Sequence, residues 1–129
     1  MSVKDESSYQ IEFHNQMIKF IDELIEQFPS YSEFVLFRIF LKNQMSPGKL
    51  MKTFMKNAYP HKEDVYNKND NIFTVMDDMI TLLTNSKKKT FQTLWESNEI
   101  DSDDRDIIWQ WMKLFIKLCD NYHKKFGDL

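Results

Sequence analysis

Residues 13–29 read FHNQMIKFIDELIEQFP, and no other stretch restricts the possible folds so strongly. At about 100° per residue, Phe13, Met17, Phe20, Leu24 and Phe28 share one flank of a helix. Ile11, Ile18 and Ile25 share the adjoining flank. The apolar arc is roughly 180° wide, against the ~100° stripe of an ordinary surface helix. Glu12, Asn15, Lys19, Glu23 and Glu26 fill the remainder, and Phe28-Pro29 stops the helix. A helix coated this way has to be covered on two flanks, which requires a bundle.

The rest of the chain carries the same helical period. Ser30 and Glu33 form an S-x-x-E pattern, a capping box that opens a second helix over residues 31–44. Its run FVLFRIFL is apolar nearly all round, which predicts a place at the centre of the bundle. Ser46-Pro47 starts a third helix with core face Leu50, Met51, Phe54, Met55 and Ala58. Tyr59-Pro60 ends it. A polar connection over residues 61–71 has room for one short turn at residues 63–66. Asp70 then caps a helix that buries Phe73, Met76, Ile80 and Leu83. A short helix carries Phe91, Leu94 and Trp95. Ser102 caps the closing helix, with Asp103, Asp104 and Asp106 early and Lys124 and Lys125 late, an order that suits the helix dipole. Its main stripe is Ile107, Ile108, Trp111, Leu114, Phe115, Leu118 and Tyr122. With two Gly and three Pro in 129 residues, hairpin turns are missing and a β fold is excluded. The expectation is an all-α, compact single-domain bundle of five or six helices over residues 9–126, behind a flexible polar tail of residues 1–8. The single Cys119 allows no disulfide within the chain, so a reducing compartment is the default. No apolar run reaches the ~18 residues of a membrane span, and no signal peptide is visible.

The spaced anchors Phe13, Gln16-Met17, Phe20-Ile21, Leu24 and Phe28-Pro29 resemble the opening motif of a family of small uncharacterised all-helical proteins of giant DNA viruses of algae and protists. Later pieces are similar too: the break Asn43-Gln44-Met45-Ser46-Pro47, the turn Ala58-Tyr59-Pro60-His61 with His where Tyr is usual, the element Asn69-Asp70-Asn71-Ile72-Phe73, and a closing helix with Ile108-Trp109. The resemblance implies an all-helical viral protein of the infected-cell cytoplasm or the virion, with no catalytic residues to transfer.

The candidate chemistry is sparse. Cys119 and His123 are spaced i, i+4, but a structural zinc site uses four close N/S ligands, so no metal or other cofactor is expected. His14 falls inside the apolar arc and reads as a hydrogen-bonded histidine at the edge of the core. No G-x-S-x-G motif or Gly-rich phosphate loop occurs, so neither an enzyme nor a small-molecule substrate is expected. The six carboxylates of residues 96–106 lack the glycine and spacing of an EF-hand and read as a solvated helix start. Two surfaces remain. Trp109, Met112, Ile116 and Cys119 form a second apolar stripe on the closing helix, which needs either a central position or a partner. Trp109, Met112 and Ile116, with Tyr59 and His61 at the turn, are the candidate residues for binding a protein partner or a second copy. Lys49, Lys52 and Lys56 share one face of the third helix and, with Lys62, are the alternative, a weak nucleic-acid-backbone site.

Overall fold

The computed structural model describes residues 5–127. They form α1 (Glu6–Gln27), α2 (Ser32–Asn43), α3 (Pro47–Asn57), a 3-10 turn (Tyr59–His61), α4 (Lys62–Tyr66), α5 (Asn71–Thr84), α6 (Thr90–Trp95) and α7 (Ser102–Phe126). The protein is all-helical, with no strand among the described residues. Seven α-helices stand where five or six are expected, because the short turn in the 61–71 connection is a helix of its own.

α1 is the hub: it lies against α2, α3 and α7. Phe13, Met17, Phe20, Ile21 and Leu24 are buried on it. The neighbouring flank is less covered than its hydrophobicity implies, with Ile18 and Ile25 partly buried and Ile11 exposed. Phe13, Phe20, Phe54, Phe91, Trp111 and Phe115 meet in edge-to-face, tilted and stacked pairs with centroids 5.0–6.1 Å apart, joining α1 to α3, α6 and α7. Such pairs add to the area term of burial. Residues 6–8, expected within a tail, are the first turn of α1. Asp5 caps it by accepting the Ser8 amide hydrogen at 2.9 Å. Residues 1–4 of that tail lie outside the described residues.

Several local signals act as the sequence implies. Ser46 caps α3, accepting from the Lys49 amide at 3.2 Å, with Pro47 at the first position. Asn85 ends α5 in the left-handed conformation at φ 62°. Others shift. The Ser30 box does not form: Tyr31 sits at the α2 N-cap without a side-chain bond. Ser30 instead reaches Glu99 at 3.5 Å, and Glu33 takes the Lys88 ammonium. Asp70 stands at the α5 N-cap but makes no capping bond. α7 is capped by Asp101 rather than Ser102, in a reciprocal box with Asp104.

The largest departure concerns α2. It is not central. Phe34, Phe37 and Leu41 face inward, while Val35, Leu36 and Ile39 are exposed. α7 is the more enclosed element, and its buried face is turned relative to the expected stripe. Ile108, Phe115, Leu118 and Tyr122 are buried as expected, whereas Ile107 is exposed and Trp111 and Leu114 are partly covered.

Candidate functional site

The second stripe of α7 is core. Trp109 is 5 % exposed, and Met112, Ile116 and Cys119 are fully buried. The Trp109 ring lies 5.3 Å from Phe73 of α5 and 5.3 Å from Trp95 of α6, which themselves stack at 4.3 Å. α1 covers one side of α7, and α4, α5 and α6 cover the other. The central position open to α7 is therefore the one it takes. Trp109, Met112 and Ile116 do not present a surface to a partner in this fold.

Tyr59, His61 and Lys62 lie together beside α7, but the polar groups there are already engaged. Tyr59 and Tyr66 both donate their hydroxyl hydrogens to Asp120, the second at 3.3 Å. The Lys62 ammonium lies 4.0 Å from the same carboxylate and 5.0 Å from the Tyr59 ring centre. His61 is exposed, with Nδ1 3.6 Å from Asp64. Burial, then the Asp120 carboxylate, pushes the Tyr59 hydroxyl well above the usual phenol range, and Tyr66 moves the same way. The arrangement fastens the 59–66 connection to α7. It offers no nucleophile. The adjacent Cys119 thiol is pushed up by burial and has no route to solvent. Among the described residues no three His, Cys, Asp or Glu side chains converge as metal ligands.

The basic face of α3 is smaller than expected. Lys49, Lys52 and Lys56 are exposed opposite the buried Leu50, Met51, Phe54 and Met55. No ion pair joins them to a described residue. Lys62 is turned away to Asp120 and is not part of that face.

The surface that sequence reasoning missed lies between α2 and α5. A groove of about 340 Å³ has Phe34, Phe37 and Phe40 on one wall and Ile80 and Thr84 on the other. Leu36, 66 % exposed, and Ile39, 48 % exposed, form its outer lip. Ser86, Lys88 and Thr90 border the groove, and Lys88 is held 2.7 Å from Glu33. α2 itself is fastened to α1 by Arg38, which donates to Asp22. The signal for this surface was present in FVLFRIFL. Its apolar residues cover more of the helix than a single contact can bury. A second hollow, about 280 Å³ between the end of α1 and the start of α7, pairs Ile107 and Trp111 with Glu23, Glu26 and Asp104.

Asp77 was missed as well. It is 2 % exposed and accepts the amide hydrogens of Phe91 and Gln92, each at 3.0 Å, so a carboxylate of α5 caps the start of α6. Burial raises its pKa, while the two amides pull it down.

Comparisons with family models, curated proteins and solved structures return no match.

Proposed function

We propose that this is a non-catalytic, virus-encoded interaction protein, an adaptor or virion component, that binds a protein partner on the α2 side of the bundle. One observation carries the reading: Val35, Leu36 and Ile39 are 40, 66 and 48 % exposed beside an apolar groove. Exposed apolar side chains gathered beside a groove make a candidate interaction surface. The viral setting, in the infected-cell cytoplasm or in the virion, is what the resemblance of the spaced anchors implies. No described helix is long and apolar enough to cross a membrane.

The alternative is nucleic-acid-backbone binding through Lys49, Lys52 and Lys56, supported by their exposure without ion pairs. It has less behind it, because Lys62 and Tyr59 are both committed to Asp120.

Two variants separate the readings. Leu36→Glu with Ile39→Glu alters only exposed side chains and should leave the circular dichroism spectrum unchanged. In quantitative affinity purification from infected cells it should lose the partner that the wild type retains. Lys49→Glu, Lys52→Glu and Lys56→Glu together should keep that partner. The opposite pattern, with binding that weakens steeply as salt rises, would assign the function to the basic face.

A further inference from the structure

We infer that the hollow between the end of α1 and the start of α7 receives an arginine side chain of a partner protein, with an apolar residue of the same segment on the adjoining strip of α7. This site is separate from the α2 surface and does not depend on it.

Charge argues for a cation. Phe20, Leu24, Phe28 and Ile108 in the lining are buried core side chains. What a ligand can reach is Ile107, 48 % exposed, the partly covered Trp111, and the carboxylates of Glu23, Glu26 and Asp104. No described Lys, Arg or His lines the hollow. Glu23 accepts the Trp111 indole hydrogen at 2.7 Å, and Asp104 accepts the Asp101 amide hydrogen at 3.2 Å. Both donors are neutral, and none of the three carboxylates forms an ion pair with a described residue. Lys19, one turn before Glu23, neither lines the hollow nor pairs with a described residue. The partial positive charge of the α7 N-terminus, roughly half a unit, is met by Asp101, Asp103 and Asp104 together. The hollow is therefore negative, and a cation gains there in encounter rate and register.

The mixed lining selects guanidinium among cations. Trp111 packs on Phe20 and Phe115 and also lines the hollow, so its indole is held in place. A guanidinium stacks on indole and presents a planar fork of donors to carboxylates, whereas an ammonium is a compact, strongly hydrated charge. Glu23 and Glu26 are three apart on α1 and so stand side by side. Glu23 keeps its second oxygen free of the indole, and Glu26 makes no hydrogen bond to a described residue. Size argues for one side chain: about 280 Å³ falls below the roughly 300–1,000 Å³ of pockets that enclose a whole small molecule. A more open hollow of about 360 Å³ continues from it, sharing Glu23, Ile107 and Trp111 and adding Gln110 and Leu114. A free guanidinium compound would leave Ile107 and Leu114 in water. A protein segment with an apolar residue beside its arginine covers both.

Three fluorescein-labelled peptides test this. They share a leucine and differ at the next position, which is arginine, citrulline or lysine. Citrulline keeps the shape of arginine and removes its charge. Each is titrated with the full chain at low salt, with anisotropy as the readout. The arginine peptide should bind more tightly than the citrulline peptide by about tenfold or more, and more tightly than the lysine peptide. Glu23→Gln with Glu26→Gln alters exposed side chains without changing their size and should erase that preference, with circular dichroism confirming the fold. Leu36→Glu with Ile39→Glu should leave it intact, which separates this site from the α2 surface. The indole N–H resonance of Trp111, assigned with Trp111→Phe, should move on adding the arginine peptide while that of Trp109 stays. Equal affinity for arginine and citrulline, a preference that the Glu23/Glu26 variant retains, an unmoved Trp111 resonance, or no binding of any peptide overturns the inference. A lysine peptide that binds as tightly overturns the guanidinium. Free arginine that competes as well as the peptide overturns the protein source. A wild-type dimer in sedimentation that Glu23→Gln with Glu26→Gln dissociates would make a second copy the occupant, and the inference fails.

Discussion

At the scale of single residues, two side chains explain how the end of the bundle around α6 is organised. Asp77, the first of two adjacent acids in MDDMI, is buried and holds amides at the start of α6. The helix it caps is six residues long, too short to persist without tertiary support. Asp77→Ala would leave two amide hydrogens without their acceptor, and we expect a loss of about 1–3 kcal/mol in chemical denaturation. A change under about 0.5 kcal/mol, the range of an ordinary surface substitution, would mean that α6 is held by its apolar face alone. Trp109 has the complementary role. Enclosed by Phe73 and Trp95, it should cost about 3–5 kcal/mol when replaced by Ala. A small loss accompanied by a change in association would return Trp109 to the surface. His14 follows its sequence reading: it lies at the core edge with Nε2 2.8 Å from the Leu41 carbonyl. Its position in the apolar arc of α1 left room for little else.

At the scale of elements, capping and burial separate. α3 begins where Ser46-Pro47 places it, because both groups act within one turn of the chain. α2 does not use Ser30: Glu33 takes the Lys88 ammonium and Ser30 lies 3.5 Å from Glu99, both partners distant in sequence. The expected contrast is measurable by urea denaturation. Ser46→Ala should cost about 1 kcal/mol, as the loss of a working N-cap does. Ser30→Ala should stay within about 0.5 kcal/mol, like a surface substitution. Equal losses would show that the Ser30 box forms after all. Hydrophobicity all round α2 likewise indicated how much apolar surface it carries and not how much of it is covered. Apolar area drives burial without direction, so a helix can be greasy on a face to which its own fold brings no neighbour.

At the scale of the whole molecule, the start of α1 and the 59–66 connection are tied to α7 through phenols. Tyr59 and Tyr66 share Asp120, and Tyr122 donates to Glu6 at the start of α1. Burial, then the Glu6 carboxylate, pushes the Tyr122 hydroxyl up to about 12 from an ordinary 10.0. A pKa raised on folding means that the folded state keeps a proton which the unfolded chain releases. The stability these phenols contribute is thus fully present below pH 10 and is lost as pH rises through the folded values. Urea midpoints should fall on the alkaline side of about pH 10. Lysines titrate in the same window, so the decisive comparison is with Tyr59→Phe plus Tyr122→Phe, whose midpoint should fall less steeply. Parallel pH profiles would show that neither hydroxyl is linked to folding.

The amino-acid sequence by itself determined the all-helical class, the α1 flank of Phe13, Met17, Phe20 and Leu24, the core face of α3 and the place of a short turn within the 61–71 connection. Each depends on a 3.6-residue period or on a capping group within one turn, so neighbours along the chain are enough to specify it. Tertiary structure alone decided how far each of the two apolar stripes on α7 is enclosed, which apolar face of α2 is left open, and that Lys62 leaves the α3 lysines for Asp120. These outcomes depend on which elements lie beside one another in space. Hydrophobicity states how strongly a face prefers to leave water, and only the packed arrangement supplies, or withholds, the surface that covers it.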